Sequence, residues 1–290
     1  MSDACHEQPD RDDARYEILA FYRFVEMAGC AAFAPVLKAA MLERDVMGTV
    51  LLADEGINGT ISGLPGAVGE VMEIIRERPG LGGLECRVSH APGHVFNRAK
   101  VKVKPSLINL GEEIDPAAGA GVYVDPGAWN GLISDPDVVV IDTRNDYEVH
   151  AGSFRGAVDP GIKRFRDLPG FVEGNLDPRR HRKVAMFCTG GIRCEKSTAW
   201  LLQRGFEEVY HLRGGILGYL EEVPAEESLW EGDCYVFDER VGVDHGLRPS
   251  DRAKFCPGCG HALTTKLRCA PAYVPGRRCP RCPVGGDGGV

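Results

Sequence analysis

Residues 184–204, VAMFCTGGIRCEKSTAWLLQR, constrain the fold more than any other part of this chain. Val184, Ala185, Met186 and Phe187 form an unbroken apolar run, the pattern of a strand buried on both faces of a parallel sheet. Cys188, Thr189, Gly190, Gly191, Ile192 and Arg193 then lead straight into a helical pattern. There Thr198, Leu201 and Leu202 share a face, and Gly205 marks the stop. A strand, a short glycine loop and a helix in this order can wind the backbone N–H groups of Thr189, Gly190, Gly191 and Ile192 around the Cys188 sulfur. The helix N-terminus adds partial positive charge and Arg193 a full one, which suits an anion ligand. Such a pocket stabilises a thiolate, or an anion attached to it. Cys194, in the first helical turn, reads equally as filler or as a resolving thiol.

The loop has the C-x-x-G-x-R form and resembles a rhodanese active site, and the likeness extends on both sides. Upstream, Val138-Val139-Val140-Ile141 runs into Asp142-Thr143-Arg144, then Glu148, then the turn Gly152-Ser153-Phe154-Arg155-Gly156-Ala157. Downstream, Leu212-Arg213-Gly214-Gly215 is similar to the family's last turn. Asp142, Arg144 and Glu148 are expected to hold the loop by ion pairs rather than to take part in chemistry.

The N-terminal third reads as a separate α+β unit. Residues 16–22 and 48–53 have strand character, residues 32–44 and 66–78 helical period, and a turn is expected around residues 55–59. Further strands fit near residues 84–89 and 100–110, with Pro105 implying an edge or a bulge. The order β-α-β-β-α-β predicts a ferredoxin-like, acylphosphatase-like sandwich. The expected organisation is a disordered acidic tail over 1–14, this sandwich over 15–110, and a Gly/Ala/Asp/Pro linker over 111–126. The central α/β domain with its parallel sheet follows over 127–225, then a Cys-rich segment over 226–290.

That last segment carries two C-x-x-C knuckles, Cys256/Cys259 and Cys279/Cys282, the spacing of a tetrahedral zinc site. A short stretch with so few large apolar residues would draw folding energy from the metal. Cys269 or His261 can replace one knuckle thiol. Eleven cysteines without an export signal predict a reducing, cytoplasmic setting. No apolar run is long enough for a membrane helix, and no G-x-G-x-x-G motif offers a flavin or nicotinamide cradle.

The net charge of −8 argues against a polyanionic partner, but its distribution argues the other way. Lys100, Lys102 and Lys104 alternate on one strand face. Arg179, Arg180, Arg182 and Lys183 precede the Cys188 strand, and residues 247–290 hold eight cations against Asp251 and Asp287. Together these are expected to form a backbone track around the reactive loop.

Taken in order, the ADEGINGTISG turn, CTGGIRCEKS, LRGGILGYLE and the cysteine tail resemble the bacterial tRNA uridine hydroxylases that contain a rhodanese domain. The resemblance implies 5-hydroxyuridine formation at the wobble position of tRNA with molecular oxygen as co-substrate, and Cys188 as the reactive, persulfide-forming cysteine. It implies the tRNA anticodon loop as partner, and an aromatic stacking residue with it, for which Trp129, Trp200 and Phe165 are candidates although each fits a core. Two alternatives stand beside it. One is sulfur transfer from a donor through Cys188 to a thiol or tRNA acceptor; the other is a non-catalytic RNA-binding adaptor.

Overall fold

The computed structural model describes residues 15–116, 119–250, 254–256, 259, 262–263, 265–275 and 277–282. The tail expected over 1–14, His261, Arg252 and the glycine-rich end lie outside the described residues. The chain divides into two units, one ending at Leu107 and the other starting at Ile108.

In the first unit, β1 (Tyr16–Phe24), α1 (Cys30–Glu43), β2 (Met47–Ala53), β3 (Gly56–Gly63), α2 (Pro65–Arg76), β4 (Arg87–Ala91) and β5 (Ala99–Val103) follow one another. The sheet order β4-β1-β3-β2 is the ferredoxin-like one, and β5 extends it by pairing parallel to β2. Phe33, Leu37 and Met41 of α1 and Val68, Val71, Met72 and Ile75 of α2 bury one face, against Leu19, Phe21, Val50, Leu52 and Ile61. Two expectations need correction. The turn of the β2–β3 hairpin is only Asp54 and Glu55; Gly56 and Gly59 are strand residues paired with Phe24 and Phe21. Gly56 sits at φ 138° where a Cβ would run into the Arg23 carbonyl, and at Gly59 a Cβ would strike the Phe21 ring. Close approach, not chain reversal, demands these glycines. The strand expected over 100–110 stops at Val103. Lys104 gives the last ladder hydrogen bond, to the Leu52 carbonyl at 2.9 Å, and Pro105 has no N–H to continue. The strand is accordingly the sheet's edge.

In the second unit the elements are β6 (Val122–Val124), α3 (Pro126–Ile133), β7 (Val138–Asp142), α4 (Asp146–Val149), β8 (Gly152–Phe154) and α5 (Leu168–Asn175). They continue with β9 (Lys183–Phe187), α6 (Ile192–Gln203), β10 (Glu208–Leu212), α7 (Gly215–Glu222), β11 (Trp230–Gly232), β12 (Cys234–Tyr235) and β13 (Gly242–Val243). Short pieces β14 (Lys254–Phe255), β15 (Ala262–Leu263) and α8 (Thr265–Cys269) close the order. Strands β6-β10-β9-β7 form one parallel sheet. The apolar run of β9 serves both faces: Val184 and Met186 join one core, Ala185 and Phe187 the other. Trp200 and Phe165 belong to the first core and Trp129 to the second, so none of the three is a stacking surface.

The composition-based linker hides structure. Val122–Val124 is the edge strand of the parallel sheet, and Gly121 lies so near the Val209 carbonyl that a Cβ would stand 2.7 Å from it. Leu110 and Ile114 are buried in this unit's core. On the other side, β11 pairs with β8, and Trp230, Cys234, Val236 and Val243 fill the second core, so residues 230–243 complete the sheet's packing.

Candidate active site

Parallel strands bring their carboxyl ends to one edge, where crossover loops leave the sheet. Here Asp142 of β7 is in register with Phe187 of β9, so the segments 142–144 and 188–191 leave side by side. Gly191, at φ 105°, begins α6 without a capping side chain of its own. The Cys188 sulfur does that work. It accepts the Gly191 N–H at 3.1 Å, and the Cys194 N–H, an orphan donor of the first helical turn, is also directed at it. The carbonyls of Cys188 and Thr189 turn away and accept from Ile216 (2.9 Å) and Leu217 (3.1 Å) at the start of α7. This closeness explains Gly215, at φ 63°, where a Cβ would stand 2.5 Å from the Cys188 carbonyl oxygen.

Behind the sulfur lies a buried charge network. Arg193 forms a two-point pair with Glu148, Nη1 to Oε2 and Nη2 to Oε1, both 2.7 Å. Thr189 Oγ1 accepts from Arg193 at 3.2 Å and donates to Glu148 at 3.4 Å, tying the loop to the pair. One layer further, Arg144 grips Asp142 through Nε (2.8 Å) and Nη2 (2.6 Å), gives a bond to the Gly152 carbonyl (2.6 Å), and lies over the Trp230 ring. Two cations thus balance two carboxylates before the sulfur is counted. Desolvation of this kind is costly unless every charge is paired and hydrogen-bonded, and here all four are.

Burial alone would push the Cys188 thiol up. It is outweighed by a hydrogen bond from the Cys194 thiol, the positive charge of Arg193 and the two backbone N–H donors, which bring Cys188 down to about 5. Cys194 moves the other way, well above an ordinary thiol, because of burial and its bond to the Cys188 sulfur. Thr143 Oγ1 lies 3.5 Å from Cys194 Sγ. Cys194 keeps its proton and directs it at its neighbour's sulfur as a hydrogen-bond donor. Arg193 needs a similar qualification. The sequence suggested an anion ligand, but its guanidinium is engaged by Glu148 and acts on the sulfur through its field.

Residues 16–107 match the UPF0176 acylphosphatase like domain, and residues 126–222 match the rhodanese-like domain. Over 92% of this chain and 83% of the relative, the sequence is 52% identical to a tRNA uridine(34) hydroxylase of Teredinibacter turnerae. A protein of the same name from Mesorhizobium japonicum is 50% identical over 97% of this chain and 89% of its own length. The chain belongs to the tRNA uridine(34) hydroxylase family. A third member, from a Picosynechococcus species, is 47% identical over 92% of this chain and 90% of its own. The membership expected from CTGGIRCEKS and the order of its flanking blocks therefore holds, as does the expected fold class.

Within this tRNA uridine(34) hydroxylase family chain, the basic residues are arranged otherwise than expected. Lys100 and Lys102 are exposed on β5, with exposed Lys104 just beyond it. Arg180 and Arg182 are exposed, but they precede β9, whereas Cys188 follows it. A five-residue strand separates them by roughly 15 Å, so they do not flank the reactive loop; sequence adjacency to the strand misled because its two ends lie on opposite edges of the sheet. Arg182 also lies 3.9 Å from Glu207.

The two knuckles do converge. The Sγ atoms of Cys256, Cys259, Cys279 and Cys282 all lie within 4.8 Å of one another, with Cys256–Cys282 at 3.7 Å and Cys259–Cys279 at 3.6 Å. Sulfurs at about 2.3 Å from a tetrahedral ion stand about 3.8 Å apart, so the cluster fits a metal ion. Cys269, exposed at the end of α8, is outside it. Arg281, between the second pair of thiols, reaches Asp146 on α4 at 3.6 Å, and Lys163 meets the same carboxylate at 2.6 Å. Among the described residues no helix is long and apolar enough to cross a membrane.

Sequence inspection missed Thr143, Cys194's donor role, and Lys196, which is buried and gives a hydrogen bond to the Ile108 carbonyl at 3.1 Å. The helix position of Cys194, three residues after Gly191, was the available signal for the second of these.

Proposed function

We propose that this chain hydroxylates C5 of uridine 34 in tRNA, forming 5-hydroxyuridine with molecular oxygen as co-substrate in the cytoplasm. The observation that carries this reading is the near full-length identity to curated hydroxylases joined to an intact, thiolate-stabilising Cys188 loop. In it Cys188 is the reacting sulfur, as thiolate or persulfide. Arg193 and Cys194 hold its charge, and the amides of Thr189, Gly190, Gly191 and Ile192 line the space for an anion attached to it. Asp142, Arg144 and Glu148 are positioning residues. Lys100, Lys102, Lys104, Arg180 and Arg182 are offered as phosphate contacts, the last two on a surface away from the reactive loop.

The same loop geometry also favours a second reading, sulfur transfer from a donor through a Cys188 persulfide. Nucleoside mass spectrometry separates the two, comparing tRNA from a strain with and without this protein. Loss of the oxygenated uridine on deletion supports hydroxylation; loss of a thiolated nucleoside with 5-hydroxyuridine intact would replace it by sulfur transfer.

The four-thiolate cluster is proposed to hold one structural zinc. Four protein ligands leave no open coordination position, so the ion would brace the tail rather than act on substrate. Elemental analysis of the purified chain should give about one zinc per molecule. Cys256→Ser should bring this well below one and make the tail sensitive to protease; full zinc retention in that variant would exclude the assignment.

A further inference from the structure

The residue next to Glu148 opens a row of aromatic rings. Tyr147 on α4 meets Tyr235 of β12 edge-on at 5.3 Å between centroids, and Tyr235 meets Phe237 in the same way at 5.2 Å. Along 234–238 the burial alternates. Cys234, Val236 and Asp238 are inside, Tyr235 is half-buried, and Phe237 is 61% exposed, more than any other large hydrophobic among the described residues. The row thus begins beside the carboxylate that anchors Arg193 and ends in solvent.

The hairpin that displays Phe237 is braced. Asp238 accepts from Arg240 Nε at 2.9 Å and Nη2 at 2.6 Å, a pair that is itself buried. Val236 N–H reaches the Val241 carbonyl at 3.0 Å, and Val241 is held at φ 63°, a costly conformation for a β-branched residue. The turn thus holds the Phe237 ring largely in water while its contact with Tyr235 fixes its orientation. Lys163 and Arg281 both reach the carboxylate of Asp146, the residue before Tyr147.

Aromatic faces with cations alongside are what unpaired nucleotides require: bases stack on rings, and phosphates meet the cations. An edge-to-face contact covers a face of only one of its two rings, and Phe237, at the outer end, keeps most of its surface in solvent. We propose that Tyr147, Tyr235 and Phe237 form a stacking platform for unpaired bases of the RNA substrate, with Lys163 and Arg281 receiving its backbone. This rests on the proposed activity on tRNA and adds where the single-stranded loop lies relative to Cys188.

The test measures binding of the full-length chain to a fluorescein-labelled 17-nucleotide RNA hairpin whose seven-base loop carries the wobble uridine. A blunt RNA duplex of equal length serves as control. Phe237→Ala should weaken hairpin binding roughly tenfold, as expected for loss of one stacked base, and change duplex binding less than twofold. Phe237→Trp should restore hairpin affinity, and thermal unfolding should show both variants folded. Equal hairpin affinity for wild type and Phe237→Ala would overturn the platform and leave the hydroxylase reading standing. A changed oligomeric state with unchanged RNA binding would overturn it too, assigning the ring to a second copy of the chain. If the wild type itself ignores the hairpin, the platform fails, and the nucleoside comparison of the deletion strain decides the hydroxylase reading separately.

Discussion

Cys188→Ser is expected to remove 5-hydroxyuridine from tRNA in cells that depend on this protein, leaving less than about one part in a thousand of wild-type activity. The substitution keeps a small polar atom where the Gly191 and Cys194 donors converge, so the fold should persist. What it removes is ionisation: donors that bring a thiol down to about 5 cannot bring a hydroxyl anywhere near neutrality. Nucleoside mass spectrometry of a complemented deletion strain is the readout, and undiminished modification would rule out Cys188 as the reacting atom.

The same variant carries a signature in stability. At neutral pH the folded Cys188–Cys194 pair has lost one proton and retains the other, whereas an unfolded chain, with thiols near 8.5, retains both. The unfolded state binds more protons, so the pair's contribution to stability rises with pH from about 5 to about 8.5, at up to about 1.4 kcal/mol per unit. It is lost as pH falls through the folded value. Above the ordinary thiol range the raised Cys194 reverses the slope. Urea midpoints for wild type and Cys188→Ser, under reducing conditions at pH 6, 7 and 8, should therefore diverge steadily. Parallel curves would mean that the sulfur is not ionised in the native state.

Arg193→Met is expected to be strongly destabilising. It strips Glu148, whose carboxyl is completely buried and held below its usual range by Arg193 against the upward push of burial. Breaking one side of such a pair costs about 3–5 kcal/mol, or about 10 °C in Tm for a unit of this size. Arg193→Met combined with Glu148→Leu should recover much of that loss, because neither partner is left charged and alone. Thiol reactivity should not recover with it, since the field on Cys188 is still missing. Calorimetry and the pH profile of iodoacetamide alkylation separate the two effects; a double variant with wild-type alkylation would exclude Arg193 as the source of the field.

What sequence could and could not reveal follows from the range of the forces involved. The Cys188 loop was legible because strand, glycines and helix start are contiguous, and a helix N-terminus needs no distant partner to create donors. The tetrathiolate cluster was legible because metal ligands obey a spacing rule. Glu148 was legible as a loop-holding acid through its place in the rhodanese-like pattern, but that its partner is Arg193, 45 residues on, was not, because nothing local marks a contact made across the fold. Gly56 and Gly59 looked like turn residues because composition cannot tell a glycine that bends the chain from one that admits a neighbouring ring. Val122–Val124 was concealed among Gly, Ala and Pro because a parallel edge strand takes its identity from β10, far along the chain. The ring row of Tyr147, Tyr235 and Phe237 joins segments about ninety residues apart and carries no periodic mark on either side.

Cys188 has none of its surface open to water. Any partner, whether one swung-out heterocycle, a diatomic gas or the terminal atom of a carrier group, reaches it only once the surrounding loop gives way. The half-exposed rim formed by Thr189, Gly190 and Ile192 is thus a cover as much as a cradle. Sequestration of this kind shields an ionised sulfur from the bulky thiols and disulfides of the surrounding cell and ties its reaction to a local opening.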